Sequence, residues 1–147
     1  LGNSGTGKTH IALGLGLAAS EGVERKFTTA SALLHELIEA RDEDICWLQL
    51  QKRLAGLKLL IIDELGFVPF QDLAELLFEV FSQRYERGAT LVTSNLPFDE
   101  WTEVFASERL TGALRARLTH HVHILEMNGE SFGLKQSRRT NQHQPTD

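Results

Sequence analysis

The first chemical signal lies within nine residues of the amino end. Gly2 is followed after four residues by Gly7-Lys8-Thr9. At that spacing a loop can curl its N–H groups inward around phosphate oxygens while the next helix presents its positive end to them. Lys8 would reach the β- and γ-phosphates, and the Thr9 hydroxyl would take a place on Mg²⁺. The second signal is the acid pair Asp63-Glu64, directly after the apolar run Leu57 to Ile62. One carboxylate there can hold the metal through water while the other orients and deprotonates an attacking water. An acid pair at a strand end is by itself a solvated cap; beside a phosphate loop it becomes a site. The third signal is Asn95 in "LVTSN". Its amide could bond a γ-phosphate or the attacking water, and on its own it would be a turn residue before Leu96-Pro97.

These groups need elements to hold them. Lys8 to about Ser20 predicts a helix stopped near Gly22; Gly14 and Gly16 inside it each cost about 1 kcal/mol relative to Ala, which a close packing partner would excuse. Val23 to Thr28 predicts a short strand. Ser31 to Arg41 predicts a helix with Leu34, Leu37, Ile38 and Arg41 on one side. Asp42-Glu43-Asp44 is a solvated break before a short helix at Trp47 to Leu54. Leu57 to Asp63 fits a strand buried on both faces of a parallel sheet. Asp72 to Arg87 predicts a helix with a capping box at Asp72 and Glu75, an inner side of Leu73, Leu77, Val80, Phe81 and Tyr85, and a stop at Gly88. Ala89 to Thr93 predicts another buried strand. Pro97 to Phe105 and Arg109 to Leu118 predict short helices, Val122 to Leu125 a last parallel strand, and "NGESFGLK" a turn with a short edge strand. Residues 1–135 then form one domain, and 136–147 have nothing apolar to bury and read as a disordered tail. Strands alternating with helices give an α/β class, a parallel sheet with its ligand at the carboxyl ends of the strands.

Composition narrows the function classes. A net charge of -5 gives no whole-domain reason to bind nucleic acid, so any DNA contact needs a local patch. Cys46, the single cysteine, excludes an internal disulfide framework and suits a reducing, cytoplasmic setting; it reads as a partly buried thiol. No apolar run is long enough to span a bilayer, which points to a soluble protein without a membrane partner. His120, His121 and His123 read as structural, because neighbours on an extended segment point to opposite faces and no further ligands lie nearby. Trp101 with Phe98 and Phe105 reads as a helix anchored on the core.

Together the motifs look like the AAA+ branch of P-loop ATPases. The stretches "GNSGTGKTHIALGLG", "LLIIDELGFVPF", "ELLFEVFSQRYERGATLVTSNLPFDEW" and "RLTHHVHILEMNGESF" resemble the IstB-type transposition helper proteins, ATPases encoded beside a transposase in bacterial insertion sequences. The resemblance runs from Leu1 to about Gln136. It implies an ATP site made by Gly2, Asn3, Ser4, Gly5, Thr6, Gly7, Lys8, Thr9 and His10, with Thr9 and Asp63 toward Mg²⁺. It implies Glu64 and Asn95 as catalytic groups, and Arg117 in "LRARLTHH" as the arginine that reaches a neighbouring subunit's nucleotide. ATP, DNA, a transposase and further copies of the chain are the implied partners. Family members often carry an arginine where this chain has Gly133. A DnaC-type helicase loader, sharing the motifs, and a non-catalytic nucleotide-binding remnant are the alternatives.

The resemblance also implies a strand ending just before the phosphate loop, in the middle of the sheet between the strand ending at Asn95 and that at Val122 to Leu125. Only Leu1 precedes Gly2. The expectation is a P-loop core lacking its first central strand, an incomplete version of the protein, with two strand edges facing each other across a gap.

Overall fold

The computed structural model describes residues 1–19, 22–66, 74–101, 112–113 and 122–131. In chain order these form α1 (Lys8–Ala18), β1 (Arg25–Thr29), α2 (Ala30–Arg41), α3 (Asp44–Gly56), β2 (Leu59–Leu65), α4 (Ala74–Arg84), β3 (Ala89–Ser94) and a 3-10 turn at Phe98–Glu100. The strands form one parallel sheet in the order β1-β2-β3.

Alternation along β2 sets the two layers, because successive side chains leave a strand on opposite faces. Leu59 and Ile61 meet Ala12 of α1 on one face. Leu60, Ile62 and Leu65 join Leu33, Leu37, Leu54 and Phe81 of α2, α3 and α4 on the other. Each fully buried Leu or Ile stabilises the fold by about 1.5–3 kcal/mol, so this central strand is the principal anchor of the sheet.

The α/β class and the element order as far as β3 agree with expectation, with differences at several ends, while most of the predicted helices at Pro97–Phe105 and Arg109–Leu118 falls outside the described residues. The predicted helix to Arg87 stops at Arg84; the capping box at Asp72 and the inner-side Leu73 fall outside the described residues. The left-handed residue after the helix is Glu86, with φ 61°, rather than Gly88. Gly88 is required for another reason: a Cβ there would lie 2.5 Å from Leu57 O and 2.9 Å from an Arg84 nitrogen. Gly16 packs closely on Ile61, whereas Gly14 has nothing near its missing Cβ. Arg41 is exposed and Ala40 takes its place on the buried side of α2. Cys46 is exposed, not partly buried; its thiol donates to Glu43 Oε2 at 3.0 Å, and that bond raises its pKa.

Arg84 is the largest departure from a polar-outside reading. It is 2% exposed and donates to Leu54 O, to Leu57 O at 3.1 Å, to Ala89 O at 2.8 Å and to Thr90 Oγ1 at 3.0 Å. The guanidinium thereby ties the end of α3 to the start of β3. Burial lowers its pKa, yet an arginine stays charged at any working pH.

The predicted last strand at Val122–Leu125 is not a strand: residues 122–131 carry no regular structure. A cavity of ≈ 750 Å³ separates it from β3, lined by Ile11 and Leu15 on one side and Phe81 and Tyr85 on the other. Among the described residues no strand pairs with the segment, so it has no ladder to join. Its bonds to Leu1 are Leu1 N donating to Leu125 O at 2.8 Å and Met127 N–H donating to Leu1 O at 2.8 Å. β3 is correspondingly only half-buried between Thr90 and Val92. Its carboxyl end is buried, Thr93 and Ser94 being 5% and 1% exposed. Among the described residues no helix is long and apolar enough to cross a membrane.

Candidate functional site

The phosphate loop is formed as a loop that leads directly into α1. Gly7 is the residue before the helix, at φ 89°, a conformation that any side chain would strain. Ile11 N–H donates to Gly7 O at 3.0 Å, and no side chain caps the helix, so its first N–H groups have no side-chain acceptor. Gly2 anchors the loop's other end: its N–H donates to Ser94 O at 3.2 Å. A Cβ on Gly2 would sit 2.3 Å from Met127 O, which is why the segment at 127 can close against the loop.

Lys8 curls back over the loop. Its Nζ donates to Gly2 O at 2.7 Å and to Asn3 O at 2.5 Å. Desolvation by burial lowers its pKa, opposed by the charge of Asp63. Asn3, Ser4, Gly5, Thr9 and His10 are exposed and Thr6 is half-buried; the Thr6 hydroxyl donates to Asn3 O at 2.9 Å. The loop therefore opens to solvent on the side where a ligand would enter.

Asp63 lies on the α1 face of β2, two residues beyond Ile61, and this register brings it to the first turn of α1. The Thr9 hydroxyl meets its carboxylate oxygens at 3.1 and 2.9 Å. A hydroxyl and a carboxylate so close form a hard-oxygen pair of the kind Mg²⁺ accepts. Asp63 is 4% exposed while Glu64, next to it, is exposed.

The strand does not end at Asp63, as expected, but continues through a bulge. Ile62 pairs with Val92 and Leu65 with Ser94, so β2 carries one residue more than β3 across this stretch. Glu64 takes up the difference with φ 61°. A bulge of this kind re-aims side chains, and here it turns two consecutive acids toward one end of the sheet. Thr93, which sequence reasoning did not single out, holds the bulge: its hydroxyl donates to Asp63 Oδ1 and accepts from Glu64 N–H at 3.1 Å. The signal was present in "LVTSN", since a polar side chain within an apolar strand requires a partner.

Asn95 follows β3. Its Oδ1 is a buried oxygen with no hydrogen-bond partner among the described residues, beside the space above Gly66. Arg117, His120 and His121 lie outside the described residues. His123 is exposed. The structure thus brings Gly2, Lys8, Thr9, Asp63 and Glu64 to one end of the sheet, with Asn95 behind them.

This geometry has relatives. The family described as IstB-like ATP binding protein matches residues 1–140. The chain belongs to that family. It is 38% identical over 141 residues to the Insertion sequence IS21 putative ATP-binding protein of Pseudomonas aeruginosa, covering 95% of this chain and 53% of that protein. It is 37% identical over 140 residues to the Insertion sequence IS232 putative ATP-binding protein of Bacillus thuringiensis subsp. berliner, covering 92% and 54%. The chain spans about half the length of these curated relatives.

Among solved structures, AMPPCP-bound DnaA from Aquifex aeolicus matches with a TM-score of 0.71 at 18% identity, covering 97% of this chain and 44% of that one. DnaI matches with 0.68 at 16%, covering 88% and 69%. At these identities the likeness concerns the fold alone, the α/β core with a parallel sheet expected from the sequence.

Proposed function

We propose that the chain is the ATP-binding and ATP-hydrolysing unit, residues 1–135, of a cytoplasmic helper of DNA transposition. The observation that carries the site is the 2.9 Å contact between Thr9 and Asp63, because it joins the phosphate loop to the acid pair across two separate elements. The transposition role rests on relatives named as insertion-sequence ATP-binding proteins.

In this reading the loop N–H groups from Gly2 to Thr9 hold phosphate oxygens, with His10 continuing the helix behind them. Lys8 leaves the Gly2 and Asn3 carbonyls to neutralise the terminal phosphates. Thr9 and Asp63 would hold Mg²⁺, which when bound would supply positive charge to offset that of the transferring phosphoryl group. The exposed Glu64 carboxylate accepts a proton from the attacking water, and Asn95 orients that water or the γ-phosphate. Arg117 of a neighbouring copy completes the site, so that hydrolysis requires a homo-oligomer assembled on DNA with the transposase. The fold likeness to DnaA and DnaI gives the helicase-loader alternative no observation of its own.

The test is ATP hydrolysis by the chain with Mg²⁺, with and without duplex DNA, beside Glu64→Gln. Hydrolysis that DNA stimulates and Glu64→Gln lowers at least about 100-fold, a loss in the range of general-base catalysis, is the expected result. Hydrolysis indifferent to Glu64→Gln would refute the assignment of the base, and indifference to DNA would count against the transposition role.

A further inference from the structure

We propose that Thr93 is the positioning residue of the acid pair: its hydroxyl sets Glu64 in its left-handed conformation and clamps Asp63, so that hydrolysis depends on it while nucleotide capture does not. The inference deepens the function proposed above and rests on it for the catalytic half.

The bulge creates the need. Because β2 carries an extra residue between Ile62 and Leu65, the backbone there leaves the regular ladder, and an N–H in this position must find a partner elsewhere. Thr93 supplies it, accepting from Glu64 N–H at 3.1 Å. A hydroxyl has one proton to donate as well as lone pairs to accept with, and the proton goes to Asp63 Oδ1. One oxygen therefore fixes the backbone of one acid and the side chain of the other. The Thr93 hydroxyl and the Asp63 carboxylate meet away from solvent, Thr93 being 5% and Asp63 4% exposed.

The conformation it fixes is a costly one. A non-glycine residue at φ 61° is held at a cost of the kind that persists only where the surroundings over-determine it. Relaxation of Glu64 toward extended backbone would swing its carboxylate to the other side of the strand. Thr93 also stands immediately before Ser94, whose carbonyl accepts Gly2 N–H, and two residues before Asn95. The end of β3 thus connects the phosphate loop, the acid pair and the amide through consecutive residues. Thr93 links to the acids through its hydroxyl, whereas Ser94 links to the loop through backbone, so a side-chain substitution at Thr93 leaves the Gly2 tether in place.

The experiment compares Thr93→Val, nearly isosteric but without the hydroxyl, with Thr93→Ser, which retains it; Thr93→Ala replaces the valine variant should that fail to unfold cooperatively. Two readouts are taken: exchange of the Glu64 amide in the nucleotide-free chain, followed by NMR, and ATP affinity and single-turnover hydrolysis with Mg²⁺. Thr93→Val is expected to speed Glu64 amide exchange at least 10-fold. It should slow hydrolysis at saturating ATP about 10- to 100-fold, the range for losing a hydrogen bond to a charged group. ATP affinity should stay within about 3-fold, and Thr93→Ser should restore both rates to within about 3-fold of the parent. A Glu64 amide that exchanges as fast in the parent as in Thr93→Val overturns the proposal. So does a serine variant no better than valine, or a loss confined to ATP affinity. A parent chain that neither binds nor hydrolyses ATP refutes the function proposed above, and the amide exchange then decides the Thr93 geometry by itself.

Discussion

Replacing Arg84 by Met keeps most of the side-chain volume in the core and removes all four of its hydrogen bonds, which makes the cost calculable. Two acceptors, Leu54 O and Leu57 O, are in buried bonds. Each left without a donor costs about 1–3 kcal/mol. The bonds to Ala89 O and Thr90 Oγ1 are only part-buried, so water replaces the guanidinium at a net loss of about 0.5 kcal/mol each. Against this, the substitution relieves the desolvation that lowers the Arg84 pKa, an offset of about 1–2 kcal/mol. The net destabilisation is about 3 kcal/mol, against about 5–15 kcal/mol for a typical domain, and the melting temperature should fall about 6–12 °C. Urea denaturation of both proteins, with equal m-values, measures it. A difference below about 1 kcal/mol would refute the claim that this buried cation fastens α3 to β3. Because Arg84 binds the beginning of β3 and the site lies at its other end, nucleotide affinity of the folded variant should be unchanged.

Gly88→Ala should cost about 2 kcal/mol, since the new Cβ would fall 2.5 Å from Leu57 O, a backbone atom that cannot turn aside; chemical denaturation reads the loss. Glu64→Gly should leave stability within about 1 kcal/mol, whereas Glu64→Val should cost about 2 kcal/mol more, because a β-branched residue resists positive φ. A regular strand at Glu64 would favour valine over glycine, so the order of the two in thermal melts decides. Lys8 gives a pH sign. Its folded pKa lies below 10.5, so between the lowered value and 10.5 the unfolded chain holds more protons. Stability therefore rises with pH in that window. ATP affinity should fall there as the charge is lost, beginning at lower pH than an ordinary lysine would give; affinity constant up to pH 10.5 would contradict the partial desolvation of Lys8.

What the sequence disclosed is what local pattern encodes. Gly2, Gly7, Lys8 and Thr9 announce their loop through spacing, and Leu59 to Ile62 announce a buried strand through unbroken apolar character. What it concealed depends on partners distant along the chain. Arg84 falls in helical phase with Leu77, Val80 and Phe81, a sign of burial, yet only the carbonyls of Leu54 and Leu57 make burial affordable for a cation. The bulge at Glu64 arises from a mismatch between β2 and β3 that neither strand shows separately, and Thr93 acquires its place only through that mismatch. Val122 to Leu125 has the composition of a strand, but a strand is defined by its neighbours, and across from it lies the cavity beside β3.

The central claim is that the loop from Gly2 to Thr9, joined to Asp63, holds a nucleotide. Isothermal calorimetry of the chain with Mg-ATP, beside Lys8→Ala, tests it most directly. The account predicts a single site with Kd of about 1–100 μM, weakened about 100-fold or more by Lys8→Ala, the scale of losing charge-assisted bonds to phosphate. No heat of binding from the folded chain, or equal binding by Lys8→Ala, would contradict it.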